Sequence, residues 1–143
     1  MHARRRTRQR GFTLIEIMVV MAIIAMLAAM VGPRIMGSMS KAEVQAAAAQ
    51  IERLGTALDT FRLDMGRYPS SQEGLAALMQ PPSGASRWDG PYLNKDVPLD
   101  PWDNAYQYRS PGGGGRPFDL FSFGADGAPG GDGNNRDITS WEG

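Results

Sequence analysis

The chain contains no cysteine, and its single histidine, His2, stands at the second position. Without cysteine there is no disulfide and no thiolate nucleophile, so stability must come from packing or from a bound ion. Without a histidine in the body of the chain, serines and aspartates lack the base near neutral pKa that a nucleophilic triad requires. The carboxylates Asp96 and Asp100 read as loop solvation, not as an acid–base pair. These absences point away from an enzyme. A third shortage concerns acid: no Asp or Glu precedes Glu16, whereas Arg4, Arg5, Arg6, Arg8 and Arg10 give the start of the chain +5. Ten basic and all fifteen acidic residues lie after Gly11, so a formally neutral chain has an acidic body of −5. Nucleic acid is a poor partner for that body, because phosphate binding needs clustered cations on a folded surface.

Beyond the arginines lies a run of twenty apolar or small residues, Phe12 to Val31, interrupted only by Glu16. As one helix this run is about 30 Å long, enough to cross the hydrocarbon core of a bilayer. A carboxylate within such a span costs about 2.5–3.5 kcal/mol at its centre and less near an end. Glu16 either has a charged partner or snorkels to the headgroups from its place near the start. The arginine cluster favours a cytoplasmic N-terminus and a single pass, with the body on the opposite side. A secretory signal carries its small-residue cleavage site after the apolar region. Here the small residue at the charge-to-apolar junction is Gly11, before it, and a cut there leaves the helix on the mature chain.

Gly32 and Pro33 interrupt the helical pattern and predict a break or kink there. The pattern resumes at Val44, Ala47, Ile51, Leu54, Leu58, Phe61 and Met65, one apolar stripe at alternating steps of three and four. Lys41, Glu43, Gln45, Glu52, Arg53, Asp59 and Arg62 form the opposite, water-facing side, and Gly66 is placed to stop the helix. About 110 residues beyond the span suit one small domain. The stripe therefore reads as its packing surface, in preference to a coiled-coil seam. Ser70 to Glu73 has the S-x-x-E form of a capping box, predicting a short helix from Ser71 to Met79 ended by Pro81 and Pro82. Asp100 to Asn104 predicts a turn. Ala105–Arg109 and Pro117–Phe123 predict a hairpin with a floppy connection through Gly112 to Gly115. Trp88, Trp102, Trp141, Tyr92, Tyr106 and Tyr108 read as core of a small β region before a sugar-binding face. The expected class is α+β: a long helix, a short one and a small antiparallel sheet.

The C-terminal loop, residues 124–137, has five glycines with Asp126, Asp132 and Asp137, opposed only by Arg136. Glycine-rich turns let carboxylates and carbonyls converge on a hard cation. The spacing is not that of an EF-hand, and on composition alone a solvated turn is the commoner explanation.

The segment GFTLIE, Gly11 to Glu16, resembles the signature of type IV prepilins. RYPSSQEGL (Arg67 to Leu75), GPYL (Gly90 to Leu93), DPWDNAYQY (Asp100 to Tyr108) and FSFGADGAPGG (Phe121 to Gly131) resemble the major pseudopilins of the type II secretion system, within the same superfamily. The likeness spans nearly the whole chain. It implies a type IV pilin-like fold with residues 1–11 as a cleaved leader, 12–33 as a transmembrane and filament-core helix, 34–66 as an amphipathic helix and 67–143 as a periplasmic head. It also implies cleavage between Gly11 and Phe12 by a prepilin peptidase, which N-methylates Phe12. Glu16 then pairs with the Phe12 amine of a neighbouring subunit. The family binds calcium in the terminal loop, which maps here to Asp126 and the carbonyls of Phe123, Ala128 and Gly131. For the second carboxylate Asp132 lies one position early, with Asp137 in reserve. The sequence departs from the family at Asp103-Asn104-Ala105, where a Gly and, two residues later, a Pro are usual.

The expected function is that of the major subunit of a pseudopilus: a helical homopolymer of the bacterial inner membrane and periplasm that drives export of folded proteins. Its expected partners are minor pseudopilins, the inner-membrane secretion platform and the peptidase. A type IV pilin or minor pseudopilin is the alternative in the same superfamily, and a membrane-tethered calcium-dependent binding module the one from another class.

Overall fold

The computed structural model describes residues 11–142. One helix, α1 (Leu14–Met65), dominates it. Pro33 lies inside α1 and does not divide it, contrary to the break expected at Gly32-Pro33. Proline removes one backbone donor and crowds the preceding turn, but many good helix formers on both sides outweigh that loss. The chain separates into two units, one ending at Ser38 and one running from Met39 to the C-terminus. The boundary thus falls within the helix, a few residues past the proposed 33/34 division.

Among the described residues of the first unit the large apolar side chains from Phe12 to Val31 are exposed, Phe12, Leu14, Ile15 and Met26 to 69–84%. The helix is long and apolar enough to cross a membrane. The second unit is built on the stripe. Ala47, Ile51, Leu54, Leu58 and Phe61 are buried, Val44 and Met65 partly so. Gly66 ends α1 with φ +74°, its N–H bonded to the Arg62 carbonyl at 2.8 Å. A left-handed residue there is what glycine accepts without a Cβ clash.

With the stripe, Leu75, Ala77 and Leu78 and then Tyr106, Leu120 and Ile138 make up one buried core. The first three come from a single 3-10 turn, Leu75–Leu78, where a longer helix was expected. The capping box itself forms: the Ser70 N–H donates to Glu73 Oε2 at 2.7 Å, and the Glu73 N–H to Ser70 Oγ at 3.2 Å. Gly74 comes next with φ +60°, so the box closes a turn instead of launching an α-helix. Arg67 clamps it with two hydrogen bonds to Glu73, at 2.6 and 2.8 Å.

The sheet has three short antiparallel strands in the order β1 (Gln107–Arg109), β2 (Asp119–Ser122), β3 (Ile138–Thr139). Tyr108 faces Leu120, and Ser122 faces Ile138. β2 starts later than expected because Pro117 has no donor for a ladder. Ala105 contributes only a bridge to Leu99. The β1–β2 connection is not floppy. Buried Asp119 accepts hydrogen bonds from Arg109, from Arg116 Nε at 2.8 Å and from the Gly113 N–H at 2.9 Å. The Asp100–Asn104 turn forms, with Asp103 at φ +65°. Aspartate is among the few residues that tolerate that region. Trp88, Trp102, Tyr92, Tyr106 and Tyr108 belong to the core or pack on it, as expected. Trp141 instead packs on Phe121, with the Arg116 guanidinium 4.3 Å from its ring centre.

Candidate functional site

Two regions carry the residues singled out by sequence. At the helix start, Gly11 and Phe12 lie outside α1, and Phe12 is 84% exposed. Glu16 has a local role the sequence reading missed. Its Oε2 accepts the Thr13 N–H at 3.0 Å and the Thr13 hydroxyl at 3.3 Å, while the Glu16 N–H donates to Thr13 Oγ1 at 3.3 Å. Thr13-Leu14-Ile15-Glu16 is a second capping box, T-x-x-E, that closes the first turn. A negative side chain there also offsets the positive end of the helix.

The second region is the loop after β2. It is drawn shut where the Ala125 N–H donates to the Asn134 carbonyl at 2.8 Å. Gly124 lies so close to the returning chain that a Cβ would stand 2.5 Å from the Asn134 carbonyl oxygen. Asp126 is exposed and accepts the Ala128 N–H at 3.1 Å. Asp137 is half-buried and accepts the Gly130 N–H at 3.1 Å across the loop. Asp132 is exposed, and its side chain caps nothing. Of the two candidates for the second carboxylate, Asp137 is tied across the loop and Asp132 is not. Among the described residues the carbonyls of Phe123, Ala128 and Gly131 accept no hydrogen bond, so their lone pairs remain available. No three acidic or histidine side chains converge among the described residues. A cation here would be held largely by carbonyls with one or two carboxylates. Oxygen donors of that mix fit a hard ion such as calcium.

Two acidic residues outside the loop hold it from behind, and both correct the sequence reading. Asp100, expected to be loop solvation, is 3% exposed. Its Oδ1 accepts the N–H groups of Trp102 and Asn104 at 3.0 and 2.8 Å, and its Oδ2 the Ser122 hydroxyl at 2.6 Å. Ser122 Oγ in turn accepts the Gly124 N–H at 3.0 Å, and Asn104 Nδ2 donates to the Gly124 carbonyl at 3.1 Å. Glu43, expected on the water-facing side, is partly buried. Its Oε2 accepts Trp102 Nε1 at 3.2 Å and Asn134 Nδ2 at 3.0 Å.

A short polar helix start, an unpartnered apolar helix and a head closed by a glycine-aspartate loop are the parts that the family comparison brings together. Residues 34–141 match the family "Type II secretion system (T2SS), protein G", and residues 6–32 match the prokaryotic N-terminal methylation motif. The chain belongs to the protein G family of the type II secretion system. A type II secretion system core protein G of Pseudomonas aeruginosa is 47% identical over 140 residues, covering 96% of this chain and 98% of that protein. The Escherichia coli K12 core protein G is 44% identical over 138 residues, covering 94% and 92%. The crystal structure of the major pseudopilin from the type 2 secretion system of enterohaemorrhagic Escherichia coli superposes with a TM-score of 0.60 at 37% identity, covering 74% of this chain and 92% of that one. Membership of the protein G family favours the major pseudopilin over the pilin and minor-pseudopilin alternatives. These relatives are named as secretion-system components and not as enzymes.

Proposed function

We propose that this chain is the major structural subunit of a type II secretion pseudopilus, polymerising through α1 to drive export of folded proteins. The observation that carries this reading is the contrast along one helix. The stripe beyond Val44 is consumed by the head, while the large apolar side chains from Phe12 to Val31 that the structure describes stay exposed. Such a surface needs lipid first and sister helices afterwards. The chain sits as a single pass in the bacterial inner membrane, N-terminus in the cytoplasm and head in the periplasm. A prepilin peptidase cuts between Gly11 and Phe12 and methylates Phe12, and the mature subunit joins a homopolymer that meets minor pseudopilins and the inner-membrane platform. Mass spectrometry of protein extracted from membranes should therefore find a chain beginning at methylated Phe12. An intact leader on filament-borne material would refute this.

Calcium is proposed for the loop, held by Asp126, Asp137 and the carbonyls of Phe123, Ala128 and Gly131, with Asp132 outside the set. A bound dication would join segments that otherwise have few apolar contacts, serving in place of an absent disulfide. At ten times its dissociation constant such an ion contributes about 1.4 kcal/mol. Chelation should then lower the thermal midpoint by about 6–11 °C, and Asp126→Ala should remove the difference between calcium and chelator. An unchanged midpoint on chelation of the unsubstituted chain would eliminate calcium as a ligand.

A further inference from the structure

We infer that Glu43 is a positioning residue that couples the terminal loop to the filament-forming helix, an extension that rests on the calcium reading above. One oxygen, Glu43 Oε2, receives both Trp102 of the Asp100–Asn104 turn and Asn134 of the loop. Glu43 belongs to α1, so three segments separated by 59 and 91 residues in sequence meet at a single carboxylate. Turn and loop are also tied to each other, Asn104 holding the Gly124 carbonyl, and the loop is closed on itself by the Ala125 N–H and the Asn134 carbonyl. Loop, turn and helix therefore form a closed circuit whose hydrogen-bonded link to the helix, among the described residues, is the Glu43 carboxylate. Asn134 Oδ1 is buried without a hydrogen-bond partner. The Asn134 amide is thus oriented by Glu43 alone, and losing that acceptor leaves both of its ends without a partner in the protein. Order imposed on residues 124–137 by a cation reaches α1 through this side chain.

Hydrogen exchange on the full mature chain in detergent micelles, with calcium or with chelator, tests the coupling using Glu43→Ala and Glu43→Gln. In chelator, Glu43→Ala should speed exchange about tenfold in both 100–104 and 124–137, the loss expected for a charge-assisted hydrogen bond. Strand β2 should be unaffected, which separates loosening of the circuit from global unfolding. Glu43→Gln should restore protection, because its carbonyl accepts the Asn134 amide while its own amide reaches the unpartnered Asn134 Oδ1. With calcium, the unsubstituted chain should slow exchange in 124–137 and in helix residues 40–47; in Glu43→Ala only the loop should respond. Equal helix responses in the two proteins, or unchanged exchange of the turn and loop in chelator, would overturn the role given to Glu43. A loop that ignores calcium in the unsubstituted chain would instead remove the calcium reading and with it the coupling to ion occupancy.

Discussion

Glu16→Gln is expected to abolish filament assembly while leaving membrane insertion and the folded head intact. The substitution is chosen because Glu16 has two separable roles. Within one chain it closes the capping box with Thr13, and a glutamine supplies the same acceptor there, since Glu and Gln both serve at that position. Between chains it is proposed to neutralise the Phe12 amine, and only a carboxylate can do that. Packing helices with an uncompensated ammonium costs up to about 2.5–3.5 kcal/mol per subunit, the insertion-scale figure for the centre of a span. Each 1.4 kcal/mol is tenfold in an equilibrium constant, so the subunit concentration needed for growth should rise by up to about a hundredfold. Glu16→Ala loses both roles and Glu16→Lys adds repulsion, so both should fail as well. Filament yield by sheared-fraction sedimentation, beside membrane content, decides the matter. If Glu16→Gln polymerises normally and only Glu16→Ala fails, the side chain acts as a helix cap and the intersubunit pair is refuted.

The contrast between Glu16 and Glu43 shows what sequence could reveal. Periodicity reports which face of a helix is apolar, and the stripe from Val44 to Met65 was legible because hydrophobic burial is additive along a face. The same reasoning placed Glu43 in water, because periodicity cannot see a turn and a loop arriving from 59 and 91 residues away. Asp100 was misread for the same reason: its partner Ser122 is remote in sequence. Local signals fared unevenly. The Ser70–Glu73 box forms as its spacing implied, yet the helix it announced fails because the following glycine takes a positive φ. Pro33, the strongest local breaker, does not end α1. β3 has only two residues and comes after a stretch of glycine and polar side chains, so no alternating pattern marked it. Of the loop, composition showed where carboxylates cluster but not which is held; the bond from Gly130 to Asp137 distinguishes Asp137 from Asp132.

Asp119→Asn should destabilise the head by about 3 kcal/mol, the lower end of what removing one partner of a buried charge cluster costs. All three groups facing this fully buried carboxylate are donors: Arg109, Arg116 and the Gly113 N–H. An amide offers one acceptor oxygen and turns a donor against at least one of them. The lower figure is chosen because the side chains of Arg109 and Arg116 are 61% and 35% exposed and regain water. At about 4–8 °C per kcal/mol for a domain of this size, the midpoint should fall by more than 10 °C. The pH dependence supplies a second, independent reading. Hydrogen bonds from the two arginines hold the Asp119 carboxyl well below the ordinary carboxylate range, and Arg67 lowers that of Glu73 to about 2. A folded-state value below the unfolded one contributes stability above about pH 4, and that contribution is lost as pH falls through the folded value. The unsubstituted head should thus lose stability steeply from pH 4.5 downward. In Asp119→Asn the slope below pH 4 should be shallower by one proton, about 1.4 kcal/mol per pH unit, with the Glu73 contribution still present. Replacing the cluster by apolar side chains, which rescues some buried ion pairs, should not rescue this one, because the Gly113 N–H would remain without an acceptor. An Asp119→Asn head with an unaltered acid slope would show that the carboxylate is not what pins the glycine loop.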